Sequence, residues 1–157
     1  MDHVDRILEQ WRAERPDVDP APMAVIGRLS RVAAKTDAVL ASTFARHGVD
    51  ASAFDVLATL RRQGRPYRLT PAGLAVDAMI TSGAVAQRLN RLELAGLIRR
   101  LPNPDDGRGK LVELTAAGMT LVDRVLPEHL AAERRLLAPL DDAERATLAA
   151  LLARLDA

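Results

Sequence analysis

Three polar side chains that could recognise nucleic-acid bases share one side of a helical segment near the middle of the sequence: Gln87, Asn90 and Arg91. At about 100° per residue they fall away from the apolar stripe of the same segment. That stripe consists of Val85, Leu89 and Leu92. Arginine can bond guanine through two N–H groups, and glutamine or asparagine can pair with adenine. The spacing therefore predicts a helix face that enters a DNA major groove; the alternative is an ordinary solvated face.

The start of this helix, predicted over residues 82–95, and the shorter helix before it carry groups that suit a phosphate. Thr81 or Ser82 caps the longer helix, and Thr70 caps the shorter one. Hydroxyl groups and the free N–H groups of a helix N-terminus bind phosphate oxygens. We therefore predict DNA contacts from Thr70, Thr81, Ser82 and Gly83.

A charged turn follows, in the stretch PNPDDGRGKLVEL at residues 102–114. Two strands, over residues 97–101 and 110–114, are predicted to flank it, with glycines in the turn at positive φ. Arg108 and Lys110 are expected at the tip, and Asp106 is expected to orient Arg108 or to close the turn. An arginine there can enter a narrow, negative minor groove. The alternative is a flexible surface hairpin with incidental charges.

The elements that position these side chains are helices, except for the hairpin. The predicted order is helix, long helix, helix, short helix, helix, hairpin, long helix and helix. A short helix, a turn, a second helix and a β-hairpin make a winged helix-turn-helix, here over residues 50–114. The fold class is therefore mainly α with a β-hairpin wing.

Local signals also indicate where several of these helices begin and which faces they bury. Asp50 and Thr115 are predicted helix caps, and Asp141 and Glu144 have capping-box spacing. The stretch RQGRPYR, after the third helix, is predicted to be a basic loop. The apolar residues predicted inside the third helix and along the seam of the last helix are Phe54, Leu57, Leu60, Leu148, Leu151, Leu152 and Leu155.

Composition favours a soluble, cytoplasmic protein with one domain and no membrane partner. The 157 residues include no cysteine, which excludes disulfides, thiolate metal sites and thiol redox sensing. Residues 61–110 carry ten basic and four acidic side chains, a net +6, although the whole chain is only +1. Charge concentrated in this way favours an anionic partner; the alternative is a solvated basic surface.

Two stretches, LTPAGLAVDAMITSGAVAQRLNRLELAGLIRR and PDDGRGKLVELTAAG, together resemble the MarR family of bacterial transcription regulators. A recognition helix followed by Gly-Leu-Ile, then Asp-x-Arg and Leu-Thr-x-x-Gly, is specific for that family. The resemblance covers essentially the whole chain. It implies an obligate homodimer bound to a pseudo-palindromic double-stranded DNA operator, acting as a repressor, with each wing in a minor groove. Residues 1–47 and 115–157 would supply the dimerisation helices.

Trp11, on an additional N-terminal helix, resembles the urate-responsive subgroup of that family. In the subgroup a tryptophan, an aspartate and two arginines bind the ligand. The resemblance implies Trp11, Asp55, Arg88 and Arg100 as the matching positions, and urate or a related small anion as the effector.

The residues themselves leave alternatives open at each of these positions. Arg88 borders the apolar stripe of its helix, so its guanidinium is expected to be half-buried and to require a carboxylate or an anion. A structural ion pair of Arg88 with Asp55 is the alternative. Trp11 alone could be a hydrophobic anchor, and Arg100 a phosphate contact or a solvated residue. Arg91 or Arg99 could replace Arg88 or Arg100.

An enzyme is the rival class of protein, and the sequence argues against it. The three histidines are widely separated, and the sequence contains no zinc-protease, nucleophile-elbow or phosphate-loop motif. We expect no catalytic residue, no metal site and no cofactor. A regulator that responds to a phenolic or other organic anion, or a DNA-binding protein without a ligand, remains open.

Overall fold

The computed structural model describes residues 1–79 and 85–156, which form seven helices and three strands. In chain order these are α1 (His3–Glu14), α2 (Pro22–Ala45), α3 (Ala51–Arg62), β1 (Arg68–Leu69), α4 (Pro71–Asp77), α5 (Val85–Leu94), β2 (Ile98–Asn103), β3 (Asp106–Leu114), α6 (Ala116–Leu136) and α7 (Asp142–Leu155). The predicted fold class, mainly helical with a β-hairpin wing, is confirmed. None of the described helices is long and apolar enough to cross a bilayer.

The chain divides into two compact units, Met1–Val39 and Leu40–Ala157. In the first unit, Asp2 caps α1 and forms a capping box with Asp5. The Arg28 guanidinium reaches back from α2 to both carboxylates, at 2.9 Å from Asp2 and 2.6 Å from Asp5. Both pairs are exposed, so each contributes little to stability.

The core of the second unit is built around α3, which the sequence placed correctly. Asp50 caps this helix by accepting a hydrogen bond from the backbone N–H of Ala53, at 2.7 Å. The predicted interior residues Phe54, Leu57 and Leu60 are all buried. They pack with buried residues of α4, α5, β2, β3 and α6 in one cluster, so the helix-turn-helix and the hairpin share one apolar core.

The sheet has a third strand where the sequence indicated only a basic loop. β1 pairs antiparallel with β3, placing Arg68 opposite Glu113 and Leu69 opposite Val112, and the strand order is β1-β3-β2. A two-residue strand carries too little alternation to be recognised in sequence, and the strand with which it pairs lies about 45 residues away along the chain.

The junction of the hairpin and α6 depends on Gly118, in the first turn of α6. Thr115 caps the helix by accepting from the backbone N–H of Gly118, at 3.1 Å. A Cβ at position 118 would overlap the carbonyl oxygen of Leu97 and would lie 2.7 Å from Cδ1 of Leu114. The absence of a side chain lets α6 approach the base of the wing.

The final helix, α7, keeps the leucine seam that the sequence predicted. It starts at a capping box of Asp141 and Glu144, as expected from their spacing. None of its described residues is buried within the protomer. The seam residues are between 38% and 65% exposed: Leu148, Leu151, Leu152 and Leu155. An apolar helix face of this extent is typical of a helix that packs on another chain.

Candidate nucleic-acid interface

Helix α5 presents its polar face to solvent, as predicted. Leu89 and Leu92 are buried, whereas Gln87, Asn90 and Arg91 are exposed. The predicted division of the helix into a core face and a polar face is therefore confirmed. Basic and amide side chains of these types form hydrogen bonds with base edges or phosphates.

The helix before it is short and capped at the predicted residue. The Thr70 hydroxyl accepts a hydrogen bond from the backbone N–H of Gly73, at 3.0 Å, and so fixes the start of α4. Its DNA contact stays a prediction. The other predicted contacts at the start of the next helix, Thr81, Ser82 and Gly83, lie outside the described residues.

The hairpin is longer than predicted, and its basic residues lie on a strand. β2 and β3 extend to Asn103 and from Asp106, so the turn itself is residues 104–105. In the β2–β3 ladder, Asn103 pairs with Asp106, and the adjacent Pro102 pairs with Lys110. Residues 107–109 of β3 lie between these two pairs without a partner residue on β2, so they form a bulge. Arg108, at the centre of that bulge, and Lys110 beside it are exposed. Bulges change the direction of side chains relative to a regular ladder, and Arg108 lies in this one.

Neither glycine of the bulge has the predicted positive φ, and Gly109 has a different role. Glycines with positive φ in the described chain are Gly48, Gly64 and Gly96, so the expectation of positive φ at Gly107 and Gly109 was wrong. A Cβ at Gly109 would lie 2.8 Å from a carboxylate oxygen of Asp106. That carboxylate accepts a hydrogen bond from the backbone N–H of Arg108, at 3.1 Å. The bulge thus needs a small residue at 109 so that Asp106 can hold the backbone of Arg108.

Glu113 anchors the wing at its base, a role that the sequence analysis missed. Its buried carboxylate forms ion pairs with Arg68 of β1 and Arg99 of β2. Burial would raise the pKa of Glu113, but hydrogen bonds from Arg68 and Arg99 outweigh it and hold that pKa below its ordinary value. The signal was a charged residue between Val112 and Leu114 in an otherwise apolar strand, which implies buried partners.

Arg100, predicted as a ligand residue, joins the wing to α5. Its Nη1 donates to Glu93 at 2.8 Å, its Nη2 donates to the side-chain oxygen of Asn90 at 2.7 Å, and its backbone N–H donates to Glu93 at 3.0 Å. Arg99, one alternative for the ligand site, is engaged by Glu113 instead. The guanidinium of Arg100 is half-buried, so these bonds are less screened than surface pairs.

Asp55 is buried, and Arg88 has the half-buried position that was predicted for it. Asp55 is 8% exposed, and its carboxylate accepts a hydrogen bond from the backbone N–H of Met79 at 3.2 Å. That bond holds the chain just after α4, in the segment that leads to α5. Arg88 is half-buried at the edge of the apolar stripe.

A cavity of about 180 Å³ lies between the start of α3 and α5. Arg88 and Arg91, one turn apart on α5, contribute the positive charge, and Asp50 and Ser52 contribute oxygen atoms. The backbone N–H of Ala53 and the Ser52 hydroxyl lower the pKa of Asp50, and the charge of Arg91 lowers it further. The cavity combines apolar walls with two guanidinium groups and one carboxylate, so its charged side chains are mainly basic.

The four predicted ligand residues do not all belong to one unit. Trp11 is 43% exposed on α1, in the unit Met1–Val39. Asp55, Arg88 and Arg100 belong to the unit Leu40–Ala157. Arg100 bonds Asn90 and Glu93, which at about 100° per residue lie on the flank of α5 away from Arg88.

The histidines do not gather into a reactive or metal-binding group. The ring of His129 stacks against Phe44 and Phe54, with centroid distances of 5.4 and 5.0 Å. His47 lies 3.2 Å from the carboxylate of Glu128. In the described part of the chain, no three His, Asp or Glu side chains are placed to hold a metal ion.

Comparison with known proteins agrees with this geometry. Residues 47–109 match the sequence pattern described as the MarR family. The HTH-type transcriptional regulator PecS of Dickeya dadantii is 44% identical over 98% of this chain and 92% of its own length. A mutant MarR of E. coli complexed with operator DNA superposes with a TM-score of 0.76 at 30% identity, over 88% of this chain and 99% of that one.

A third similar protein is Bordetella bronchiseptica BpsR, from a structure on regulation of its DNA binding by 6-hydroxynicotinic acid. It superposes with a TM-score of 0.76 at 26% identity, over 84% of this chain and 92% of that one. The matched proteins are transcription regulators and not enzymes, as the sequence had indicated.

Proposed function

Because this chain belongs to the MarR family of DNA-binding transcription regulators, we propose that it is a repressor whose operator binding is relieved by a small planar anion such as urate. The observation that carries the proposal is the exposed polar face of α5 beside a wing with a basic bulge. Likeness to a MarR bound to operator DNA supports the same use of these elements.

The proposed DNA contacts divide between two grooves. Gln87, Asn90 and Arg91 on α5 read base edges in the major groove. Arg108 enters the flanking minor groove, Lys110 contacts phosphate, and Asp106 holds the bulge. Phosphate contacts from Thr70, Thr81, Ser82 and Gly83 complete the set.

We assign a homodimer as the DNA-binding form. The uncovered leucine face of α7 gives the second unit an apolar surface for another copy of the chain. In the first unit, α2 likewise exposes apolar side chains at Val25, Ile26, Leu29 and Val32. Two copies would place two α5 helices on successive major grooves of a pseudo-palindromic operator.

The effector in this proposal is a planar organic anion that binds the arginines of α5. The cavity lined by Arg88 and Arg91 supports an anionic ligand, because guanidinium groups form charge-assisted hydrogen bonds with anions. Trp11, which belongs to the first unit, stays a predicted stacking residue for the ligand. The effector of BpsR, 6-hydroxynicotinic acid, is also a planar aromatic acid, which supports this class of ligand.

The proposed ligand residues make hydrogen bonds near α5, and a ligand that disturbs these bonds would weaken operator binding. An anion near Asp55 would repel its carboxylate and weaken the bond to Met79, just before the segment that leads to α5. Arg100 lies on the other flank of α5, so it would take part in ligand binding only by leaving Glu93 and Asn90, which would loosen β2 from α5. The effector only needs to prefer the form that fits DNA less well, and a coupling of about 1–3 kcal/mol gives roughly 5- to 150-fold relief.

A footprint on the DNA upstream of the gene that encodes this chain tests the proposal. We expect two protected half-sites, about 10 bp apart from centre to centre, and loss of protection when urate is added. Protection that persists in urate but is lost in a phenolic acid would change the effector class. Protection that persists in every planar anion would support a ligand-independent DNA-binding protein. If neither this DNA nor a randomised pool yields a protected sequence, the DNA-binding assignment is wrong.

A further inference from the structure

Asn90 and Arg100 form a pair that fixes which hydrogen-bonding groups α5 offers to DNA. Arginine has only N–H donors, so the atom of Asn90 that it meets at 2.7 Å must be the side-chain oxygen. The amide nitrogen of Asn90, with its two donors, is then directed away from Arg100. Because Asn90 is exposed, those donors are the groups that the residue presents outward.

Arg100 itself is held in place from two sides. Its backbone N–H and its Nη1 both donate to the carboxylate of Glu93, one turn further along α5 from Asn90. The guanidinium therefore has a fixed position against the helix, and the Asn90 amide is oriented by a charged donor. Hydrogen bonds from charged donors are stronger than neutral ones, so an incoming base would not displace this one readily.

We propose that Arg100 is a positioning residue for base specificity, which makes Asn90 a hydrogen-bond donor and so favours guanine over adenine at the base that Asn90 contacts. This inference rests on the proposed function of α5. An unconstrained asparagine pairs with adenine through both its oxygen and its nitrogen. Because Arg100 already uses one of the two lone pairs of that oxygen and places a positive charge beside it, the amino group of adenine is bound less favourably there. Guanine instead offers N7 and O6 as acceptors to the amide donors.

The alternative is that Arg100 is only a brace between β2 and α5. A brace changes affinity for all DNA sequences by the same factor, whereas an orienting role changes the ratio between bases. The two bonds to Glu93 act as a brace in either case. The hydrogen bond from Arg100 to Asn90 distinguishes an orienting role from a brace, and a substitution can remove it while the contact with Glu93 remains.

The test starts from sequences that the full-length wild-type chain selects from a randomised duplex pool. The base contacted by Asn90 is the position at which Asn90→Ala loses its preference, and Asn90→Asp, which keeps the oxygens but removes the donors, provides a second variant. We expect the wild type to bind guanine more tightly than adenine there. Arg100→Lys replaces the guanidinium with a single ammonium group, which is expected to pair with the Glu93 carboxylate and to leave Asn90 unbonded. The guanine-to-adenine affinity ratio should then fall by about tenfold, which is within the range for one base contact.

Glu93→Gln is the matched control, because it weakens the brace but leaves the bond between Arg100 and Asn90. This variant should lower the affinity for DNA with any base at that position by the same factor, and so leave the guanine-to-adenine affinity ratio unchanged. When Asn90 is already replaced by alanine, Arg100→Lys should leave the guanine-to-adenine affinity ratio unchanged, because Arg100 then has no amide to orient.

Three results would overturn the inference: an adenine preference in the wild type, a uniform effect of Arg100→Lys on all bases, or no altered position in either Asn90 variant. If the wild type selects no sequence at all, the proposed function fails and this inference fails with it.

Discussion

Arg108→Ala is expected to weaken operator binding about tenfold and to reduce the slope of log affinity against log salt by about one. Arg108 is the exposed residue at the centre of the wing bulge, and its backbone is held by Asp106. Removing the guanidinium leaves one fewer cation to displace counterions from the DNA. The preference for AT-rich flanking DNA should also weaken, because a narrow minor groove attracts arginine most strongly. The measurement is operator affinity by fluorescence anisotropy over a range of salt concentrations.

Arg134→Ala provides a control with the same change in net charge. Arg134 is exposed on α6, outside the winged helix-turn-helix. Its removal should leave the salt slope within error of the wild type. Equal slopes for Arg108→Ala and the wild type would show that the wing does not contact DNA in the proposed way.

Gly118→Ala is expected to lower the free energy of unfolding by about 3 kcal/mol, the upper part of the usual range for overpacking. The added Cβ would overlap the carbonyl oxygen of Leu97 and press on Leu114. A backbone oxygen cannot move aside as the end of a flexible side chain can, so α6 and the base of the wing must separate. The intrinsic preference of alanine for helices, about 1 kcal/mol over glycine, acts in the opposite direction and would not offset the clash.

Chemical denaturation of Gly118→Ala and Gly107→Ala measures this difference directly. A Cβ at Gly107 would have no neighbour within 4 Å among the described residues, so that variant should change stability by less than about 0.5 kcal/mol. Equal stability of the two variants would mean that α6 does not pack against Leu97 as closely as the structure shows.

The helices were predictable because their signals are local. Asp50, Thr70 and Thr115 were all identified as caps from residue type alone, and each accepts the expected backbone hydrogen bond. The buried face of α5 followed from the spacing of Leu89 and Leu92, since a helix repeats every 3.6 residues. Half-burial of Arg88 followed from its angle to that face.

The features that were not predicted depend on partners that are distant in the chain or on local backbone geometry. The ion pairs of Glu113 with Arg68 and Arg99 join three strands, and β1 was itself not recognised. The bonds from Arg100 to Asn90 and Glu93 depend on how β2 lies against α5, which residue types do not encode. The bulge was mistaken for a glycine turn because the same residue types serve both structures.

Anion binding and operator binding are coupled in the proposed function, and one titration measures that coupling. Urate is added to the preformed complex of the full-length protein with its footprinted operator, and affinity is followed by fluorescence anisotropy at constant ionic strength. We predict that saturating urate lowers operator affinity by roughly 5- to 150-fold. Operator affinity that stays constant in saturating urate, and equally in other planar organic anions, would contradict the account.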